Sequence, residues 1–220
     1  MKFPKLPLVV VMVAGLSLAS CGNDESSTPP VFVTQILSDA AFDGDISRDP
    51  VTLAYTVTQG STQSVFAGID PVSSVEFRAF LDFPLGGFDG VPLNAVIVSA
   101  SLDIVINSII PQPLVGTIPI RIDLVSFQPP TLIGSDFDRT QQPALATMTF
   151  RPPISQADFG NHVTIDVTPL MVEAQRLALP DFQVRVLEDL GFVTPGVVEI
   201  NDTTGPFRND LAPLLQVSYF

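Results

Sequence analysis

Three aspartates near the start of the predicted domain have the residue type and spacing to bind a hard cation. Asp39, Asp43 and Asp45 lie in residues 38–45 (SDAAFDGD). Calcium takes about six to eight oxygen ligands, and clustered carboxylates on a loop supply several of them. Gly44 would give such a loop its tight backbone. Because the spacing differs from that of an EF-hand, a solvated acidic loop with Asx turns is favoured, and a structural calcium site is the alternative.

A second set of charged residues occupies the polar positions of predicted strands. Its members are Arg78, Asp82, Asp103, Arg121, Asp123 and Arg185. If their strands are neighbours, these side chains form a charged array on one face of a sheet. Such an array predicts either a ligand face for a polar molecule such as a glycan or cross-strand ion pairs on a solvated face. The second interpretation is favoured, because any sandwich has polar residues at its outward positions.

No catalytic arrangement is recognisable in the sequence. His162 is the single histidine, and neither a second histidine nor a nucleophile elbow accompanies it. A His-based triad or zinc site is therefore not predicted. Glycoside hydrolysis needs two carboxylates at a defined separation, but with 23 acidic residues a chance pair is expected. An enzyme stays an alternative without a motif of its own.

Aromatic platforms for sugar binding are scarce. The chain has no tryptophan and only Tyr55 and Tyr219 besides its phenylalanines. Most phenylalanines fall on predicted core positions, but the positions of Phe80 and Phe127 predict exposed rings. Since flat rings usually accompany hydrogen bonds in sugar sites, this scarcity weakens the glycan hypothesis without removing it.

The single cysteine, Cys21, follows a segment typical of export. Two lysines form a short cationic start, and residues 6–18 are an uncharged apolar run. This run is too short for a membrane span, which needs about 20 residues. Residues 18–20 (LAS) with the cysteine resemble the lipobox of bacterial lipoproteins. The resemblance implies that residues 1–20 are a signal peptide and that Cys21 is lipidated; an ordinary secretory signal is the alternative.

The same resemblance predicts where the protein resides. Gly22 follows the lipidated cysteine, and the enterobacterial sorting rule sends such lipoproteins to the outer membrane unless this residue is Asp. Residues 21–30 are polar and end in two prolines, which predicts a flexible tether. The folded domain then covers residues 31–220. We expect an outer-membrane lipoprotein of the cell envelope, held to the membrane by its lipid, with the face of that membrane left open.

Charge and cysteine content limit the partners of this domain. The chain has ten basic and 23 acidic residues and a net charge of −13, and both lysines lie in the predicted signal peptide. Strong acidity argues against nucleic acid, whose phosphates need cationic side chains, and against electrostatic attachment to anionic lipids. With Cys21 lipidated, no thiol remains for a disulfide, so packing must stabilise the fold.

Alternating apolar and polar residues define the elements that position these side chains. The clearest runs are 75–83, 98–107, 118–125, 182–187 and 215–219. A period of two places the apolar residues on one face of a strand. Many such strands between prolines and glycines predict an all-β fold, an antiparallel β-sandwich of jelly-roll type. One short helix is predicted near 169–178, since Thr168 and Pro169 suit a helix start and Pro180 a stop.

Five short motifs follow one another in an informative order. They are 38–40 (SDA), 76–82 (EFRAFLD), 98–102 (VSASL), 165–170 (IDVTPL) and 214–219 (LLQVSY). This order resembles the DNRLRE-type domain, a secreted jelly-roll module related to carbohydrate-binding modules, and spans residues 31–220. The helix of that family usually carries a tryptophan, in whose place this chain has residues 173–175 (EAQ).

Together these observations predict a membrane-anchored envelope lipoprotein whose β-sandwich is a non-catalytic binding or structural module. The resemblance to carbohydrate-binding modules implies a glycan as its ligand, and an envelope or extracellular protein is the other partner expected. Two alternatives stay open: a carboxylate-dependent lyase or hydrolase acting on glycans, and a scaffold subunit of an envelope complex. A deep pocket with converging carboxylates and a perturbed pKa would indicate the enzyme, and a shallow face would indicate the binding module.

Overall fold

The computed structural model of the chain describes residues 30–60, 62–87, 90–128, 130–189 and 195–220. The predicted signal peptide, Cys21 and all of the predicted tether except Pro30 lie outside these residues. Within the described part, no helix is long and apolar enough to cross a membrane. The described residues are those of the predicted domain.

Fourteen strands and two short helices make up the described part of the chain. The strands are β1 (Phe32–Leu37), β2 (Gly44–Arg48), β3 (Tyr55–Gln59), β4 (Ser64–Ile69), β5 (Glu76–Pro84), β6 (Ile97–Pro111), β7 (Thr117–Ile118), β8 (Ile120–Val125), β9 (Ala146–Thr149), β10 (Ile154–Ser155), β11 (His162–Asp166), β12 (Asp181–Glu188), β13 (Gly196–Asn201) and β14 (Leu214–Tyr219). The helices are α1 (Thr168–Arg176) and α2 (Arg208–Leu211). Every pairing between these strands is antiparallel.

One large curled sheet supplies both layers of the sandwich. The first layer contains β1, β14, β11 and the beginning of β6. The second layer contains β13, β4, β5, β12, β8 and β9, with β2 and β3 beside β5. The 15-residue β6 connects them, because it pairs with β11 and β14 near its start and with β13 near its end. The predicted all-β antiparallel sandwich is confirmed.

Apolar residues of both layers enclose the main core. Leu102 and Leu215 of the first layer and Leu81, Leu124 and Val184 of the second belong to this core, and each is almost fully buried. These residues lie at the apolar positions of alternating strands, so the period of two in the sequence did mark the inner faces. Burial of this apolar surface is the main favourable contribution to folding.

The predicted short helix is confirmed as α1, which ends two residues before the predicted end. Its start is stabilised by Asp166, whose Oδ1 accepts hydrogen bonds from the Thr168 backbone N–H at 3.0 Å and from the Thr168 hydroxyl at 2.6 Å. Thr168 is thus the first residue of the helix rather than its cap, and Asp166 accepts the hydrogen bond from its backbone N–H. Leu170, Met171 and Ala174 turn the apolar side of the helix toward the main core.

A third layer lies on the outer face of the second sheet layer. Residues 130–145, which run between β8 and β9 and are called the covering segment below, cross this face. Leu132 and Phe137 of the segment pack with Ile46 and Phe80 into a second, smaller core, with Phe127 against it. The expectation of exposed rings at Phe80 and Phe127 is therefore wrong, because both rings pack under this extra layer.

Candidate functional site

The predicted ligand face is mostly buried. Arg78, Asp82, Asp123 and Arg185 are at most 6% exposed, and Arg121 keeps 27% of its side chain exposed. These five residues do share the outer face of the second layer, as their strand positions predicted. A solvated face is the wrong description of it, because four of the five are buried. The covering segment contacts Arg78, Asp123 and Arg185. Asp82 is instead contacted by Gln183.

Asp103 belongs to the other layer. In β6 it pairs with Thr164 of β11 and with Leu214 of β14. Its carboxylate lies 2.6 Å from Nδ1 of His162 and accepts a hydrogen bond from the Thr164 hydroxyl at 3.1 Å. The six predicted residues thus do not form one face. Strand alternation did not reveal this, because β6 passes from one layer to the other.

A buried ion pair joins β12, β8 and the covering segment. Arg185 is directly opposite Asp123 in the sheet, and its NH2 lies 2.9 Å from Asp123 Oδ2. Its NH1 donates to the carbonyl oxygens of Asp136 at 2.7 Å and Gln142 at 3.1 Å, both in the covering segment. Arg139 of the same segment contacts Asp123 at 2.9 Å. The pair therefore fastens the third layer to the sheet.

The pKa of Asp123 reflects this arrangement. Burial by itself would raise the pKa, but hydrogen bonds from Arg185 and Thr147 outweigh burial and leave the pKa below its usual value. Asp123 is thus ionised and fully engaged at neutral pH. It has no free lone pair aimed at solvent, so its role is structural.

Arg78 and Asp82 also have all their strong partners inside the domain. Arg78 donates to Glu76 Oε1 through Nε at 2.9 Å and to the Phe137 carbonyl through NH1. Its guanidinium lies 3.9 Å from the centre of the Phe137 ring. Asp82 Oδ1 accepts a hydrogen bond from Gln183 at 2.7 Å, and burial raises the pKa of Asp82 to about 6. These partners leave neither residue free to bind a ligand from solution.

The three predicted calcium ligands do not converge. Asp39 accepts hydrogen bonds within its own turn, Asp43 Oδ1 accepts from the Asp82 backbone at 2.8 Å, and the Asp45 carboxylate is bonded to the Phe66 backbone. Across the described residues, no group of three or more acidic, histidine or cysteine side chains is arranged for a metal. The Asx-turn interpretation describes Asp39, whereas Asp43 and Asp45 are buried rather than solvated.

Gly44 has a packing role instead of a place in a metal loop. A Cβ at this position would lie 2.2 Å from the Thr58 carbonyl oxygen. Only glycine allows β2 and β3 to approach this closely. Gly44 is therefore needed for the close approach of β2 and β3. The sequence alone did not distinguish this packing role from a role in a cation-binding loop.

The most perturbed carboxyl group is sealed inside the protein. Asp43 and Asp202 are fully buried, and Arg208 lies 3.2 Å from Asp202 Oδ1 and 4.0 Å from Asp43 Oδ2. Burial, followed by the nearby Asp202 carboxylate, raises the pKa of Asp43 to about 9. Asp43 is therefore protonated at neutral pH. Sequence reasoning missed Asp202 because it follows β13 and meets Asp43 only through the folded sheet.

An open cleft lies where the covering segment meets the β2–β3 hairpin. Across three adjacent strands, Arg48 of β2 is opposite Tyr55 of β3 and Glu76 of β5. The covering segment closes one side and leaves a cleft of about 230 Å³. The residues lining it are Arg48, Tyr55, Arg78, Phe137, Asp138 and Arg139. Of these, the sequence had singled out Arg78 as a face residue and Tyr55 only as an aromatic.

The aromatic side of the cleft is held rigidly. The Tyr55 ring packs on Phe137 with 5.3 Å between ring centres, and Tyr55 is 41% exposed. Asp138 is bound by its own turn, since its carboxylate accepts hydrogen bonds from the Thr140 backbone and hydroxyl, which lower its pKa. The cleft therefore presents a fixed ring and cationic side chains, with its nearest carboxylate already occupied.

A second cleft, of about 290 Å³, lies beside the end of α1. Leu85, Val91, Leu93, Met171 and Leu179 are among its lining residues. Its amide, Gln175, donates hydrogen bonds to backbone carbonyls of the β5–β6 connection. The described residues that line this apolar cleft offer no free polar group to orient a sugar, so it is the weaker candidate for a glycan site.

The chain matches no protein family model and no curated protein. The resemblance to bacterial lipoproteins at Cys21 and the resemblance to the DNRLRE-type domain therefore stay predictions from the sequence. What the domain binds must be inferred from its residues and their geometry.

Proposed function

We propose that this protein is a cell-envelope lipoprotein, anchored to the outer membrane through Cys21, whose β-sandwich is a non-catalytic module that binds a glycan. The observation that carries the binding role is the open cleft of Arg48, Tyr55 and Arg139, which offers hydrogen-bond donors and a fixed ring to solvent. Ligand sites typically combine a concave surface with a few placed polar groups.

The placement of the carboxylates favours binding over catalysis. A carboxylate-dependent lyase or hydrolase needs acidic groups that touch its substrate, but Asp43 and Asp202 are fully buried. In the cleft, Asp138 is engaged by its own turn and Glu76 by Arg78. The groups left to meet a ligand are therefore donors, which bind a sugar without transferring protons to it.

The position of the first strand fits a tethered domain. Residues 22–31 separate Cys21 from β1, which begins at Phe32. An extended chain of this length reaches roughly 30 Å. A tether of this length would keep the sandwich close to the bilayer.

Replacement of Cys21 tests the anchor. We expect Cys21→Ser to lose its acyl chains and to appear in the soluble fraction or as an unprocessed precursor, because acyl chains stabilise membrane attachment by about 0.8 kcal/mol per buried methylene. Membrane fractionation with a clickable fatty acid label measures this. Ser20→Ala keeps a small residue beside the cysteine and should be processed normally. A processed, membrane-bound Cys21→Ser protein would contradict the proposal.

A glycan array tests the binding role. The full-length protein in detergent should retain at least one class of glycan from a panel of neutral, uronate-containing and sulfated oligosaccharides. Mass spectrometry of the bound oligosaccharides should show unchanged chain lengths, because the carboxylates at the cleft, Asp138 and Glu76, are already engaged by other groups. Blank results across the panel would favour the scaffold alternative, and shortened oligosaccharides would favour the enzyme.

A further inference from the structure

We infer that the cleft beside the covering segment binds the carboxylate of an acidic sugar, a uronate unit, and that Arg48 is the residue that pairs with it. This inference rests on the proposed glycan-binding function and names the ligand class. Three observations support this inference: the excess of positive charge in the cleft, the shape of the Arg48 guanidinium and the exposed ring of Tyr55 beside it.

Arg48 is a cation without a partner. Most other arginines of the domain contact a carboxylate within 4.0 Å; these are Arg78, Arg121, Arg139, Arg176, Arg185 and Arg208. Among the described residues Arg48 forms no such pair, and its Nε is buried without a hydrogen-bond acceptor. Arg151 also lacks a pair there, but it is exposed to solvent. Arg48 lines the cleft, and no ion pair or hydrogen bond among the described residues engages its terminal amino groups, so these donors are the ones that a ligand carboxylate can reach.

The neighbouring charges leave the cleft cationic. Arg139 contacts Asp123 through Nε at 2.9 Å and NH2 at 3.5 Å, while 36% of its side chain stays exposed. Glu76 is paired with Arg78 at 2.6 Å, and Asp138 is bound by its own turn. Donors of Arg48 and Arg139 are therefore available to an anion, in a chain whose net charge is −13.

The chemistry of the free groups selects a carboxylate. A guanidinium presents parallel N–H groups that match the two oxygens of a carboxylate. The net negative charge of the protein repels polyanions in general. An anionic ligand can therefore bind only through the local cationic cleft.

The exposed ring selects a sugar. Tyr55 is directly opposite Arg48 and is held against Phe137, so its exposed part can stack on the apolar face of a pyranose while its hydroxyl meets a sugar hydroxyl. Arg48 also lines a second cleft of about 180 Å³, together with Pro50, Leu53, Ser74 and Glu76. A chain of several sugar units fits this arrangement better than a single small anion.

Titration of the full-length protein in detergent with oligogalacturonate and with its methyl ester tests the site. The two probes share their sugar rings and differ only in carboxylate charge. We expect the acid to bind more tightly than the ester, and added salt to weaken its binding. Arg48→Met should weaken binding of the acid by at least about tenfold, and Arg48→Lys should recover part of it. Arg151→Met removes an exposed arginine outside this cleft and should bind as the wild type does.

Three outcomes would overturn the inference while leaving a glycan-binding module in place. These are equal binding of acid and ester, unchanged binding by Arg48→Met, and binding of a neutral glycan alone. Binding of poly-glutamate without oligogalacturonate would replace the uronate with an acidic peptide. Absence of all glycan binding would instead remove the proposed function itself.

A second variant keeps the test decisive if Arg48→Met does not fold. Tyr55→Leu removes the exposed ring but leaves every arginine in place, and thermal melting reports whether each variant is folded. We expect Tyr55→Leu to weaken oligogalacturonate binding by about tenfold, the loss of one stacking contact. Unchanged binding by a folded Tyr55→Leu protein would contradict the role of the ring in selecting a sugar.

Discussion

Near pH 8, Asp43→Asn should melt roughly 5 °C or more above the wild type, whereas near pH 4 the two proteins should melt together. Asp43 is fully buried and its pKa is raised to about 9, so the folded wild type must hold a proton that the unfolded chain releases. Asparagine is neutral at every pH and has nearly the same shape. Its side-chain oxygen can still accept the hydrogen bond from the Asp82 backbone.

The sign of the effect follows from proton binding. A carboxyl group whose pKa is higher in the folded state binds more protons there, so stability falls as the pH rises above the unfolded value. For Asp43 the loss continues up to about pH 9, at about 1.4 kcal/mol per pH unit. Asp45 and Asp82, whose pKa values burial raises to about 6, add to the loss only below that pH. The free energy of unfolding of the wild type should therefore fall between about pH 6 and pH 9, whereas that of Asp43→Asn should change little over this range.

Urea unfolding across this pH range measures the difference directly. Asp210→Asn removes the same charge from an exposed position in α2, and its stability profile should run parallel to that of the wild type. Parallel profiles for Asp43→Asn and the wild type between pH 6 and pH 9 would show that the buried pair does not hold a proton.

Arg185→Met should destabilise the domain by about 3–5 kcal/mol, which lowers its melting temperature by roughly 10 °C. Arg185 is fully buried, and its removal takes away a contact of the buried Asp123. It also leaves two buried carbonyl oxygens, of Asp136 and Gln142, without this donor. Hydrogen exchange should rise first in residues 130–145, because these are the residues that Arg185 holds to the sheet.

A double-mutant cycle separates the ion pair from the loss of packing. Asp123→Leu combined with Arg185→Met should be less destabilised than the sum of the single variants, by about 1–3 kcal/mol. Arg176→Met, which breaks an exposed pair with Glu173 on α1, should stay within about 0.5 kcal/mol of the wild type. A change in melting temperature for Arg185→Met as small as that control would contradict a fastening role.

The Arg185 result bears on function through the covering segment. Phe137 and Arg139, which form one side of the candidate cleft, belong to this segment. Their positions depend on Arg185 and Asp123, since Arg139 itself contacts Asp123 at 2.9 Å. The buried charges thus position the cleft without touching a ligand.

The strands and the helix α1 were determined by the sequence itself. Alternation in residues 75–83 or 182–187 is a local property of an extended chain, and one apolar face suffices to predict a sheet over a core. Pro169 and Pro180 bounded α1 for equally local reasons. The prediction of an export signal before Cys21 likewise rests on composition and order alone.

Only the tertiary structure decided whether the polar face of a strand is covered by water or by another segment of the chain. Arg185 and Asp123 occupy polar strand positions that look alike whether water or another segment covers them, because backbone carbonyls of residues 130–145 satisfy the buried guanidinium as water would. The covering segment has no period that predicts a layer. Asp43 meets Asp202 through a contact between residues far apart in the chain. Arg48 has no ionic partner among the described residues because of which side chains the neighbouring strands place around it. Local patterning cannot encode such contacts, since they depend on which strands become neighbours.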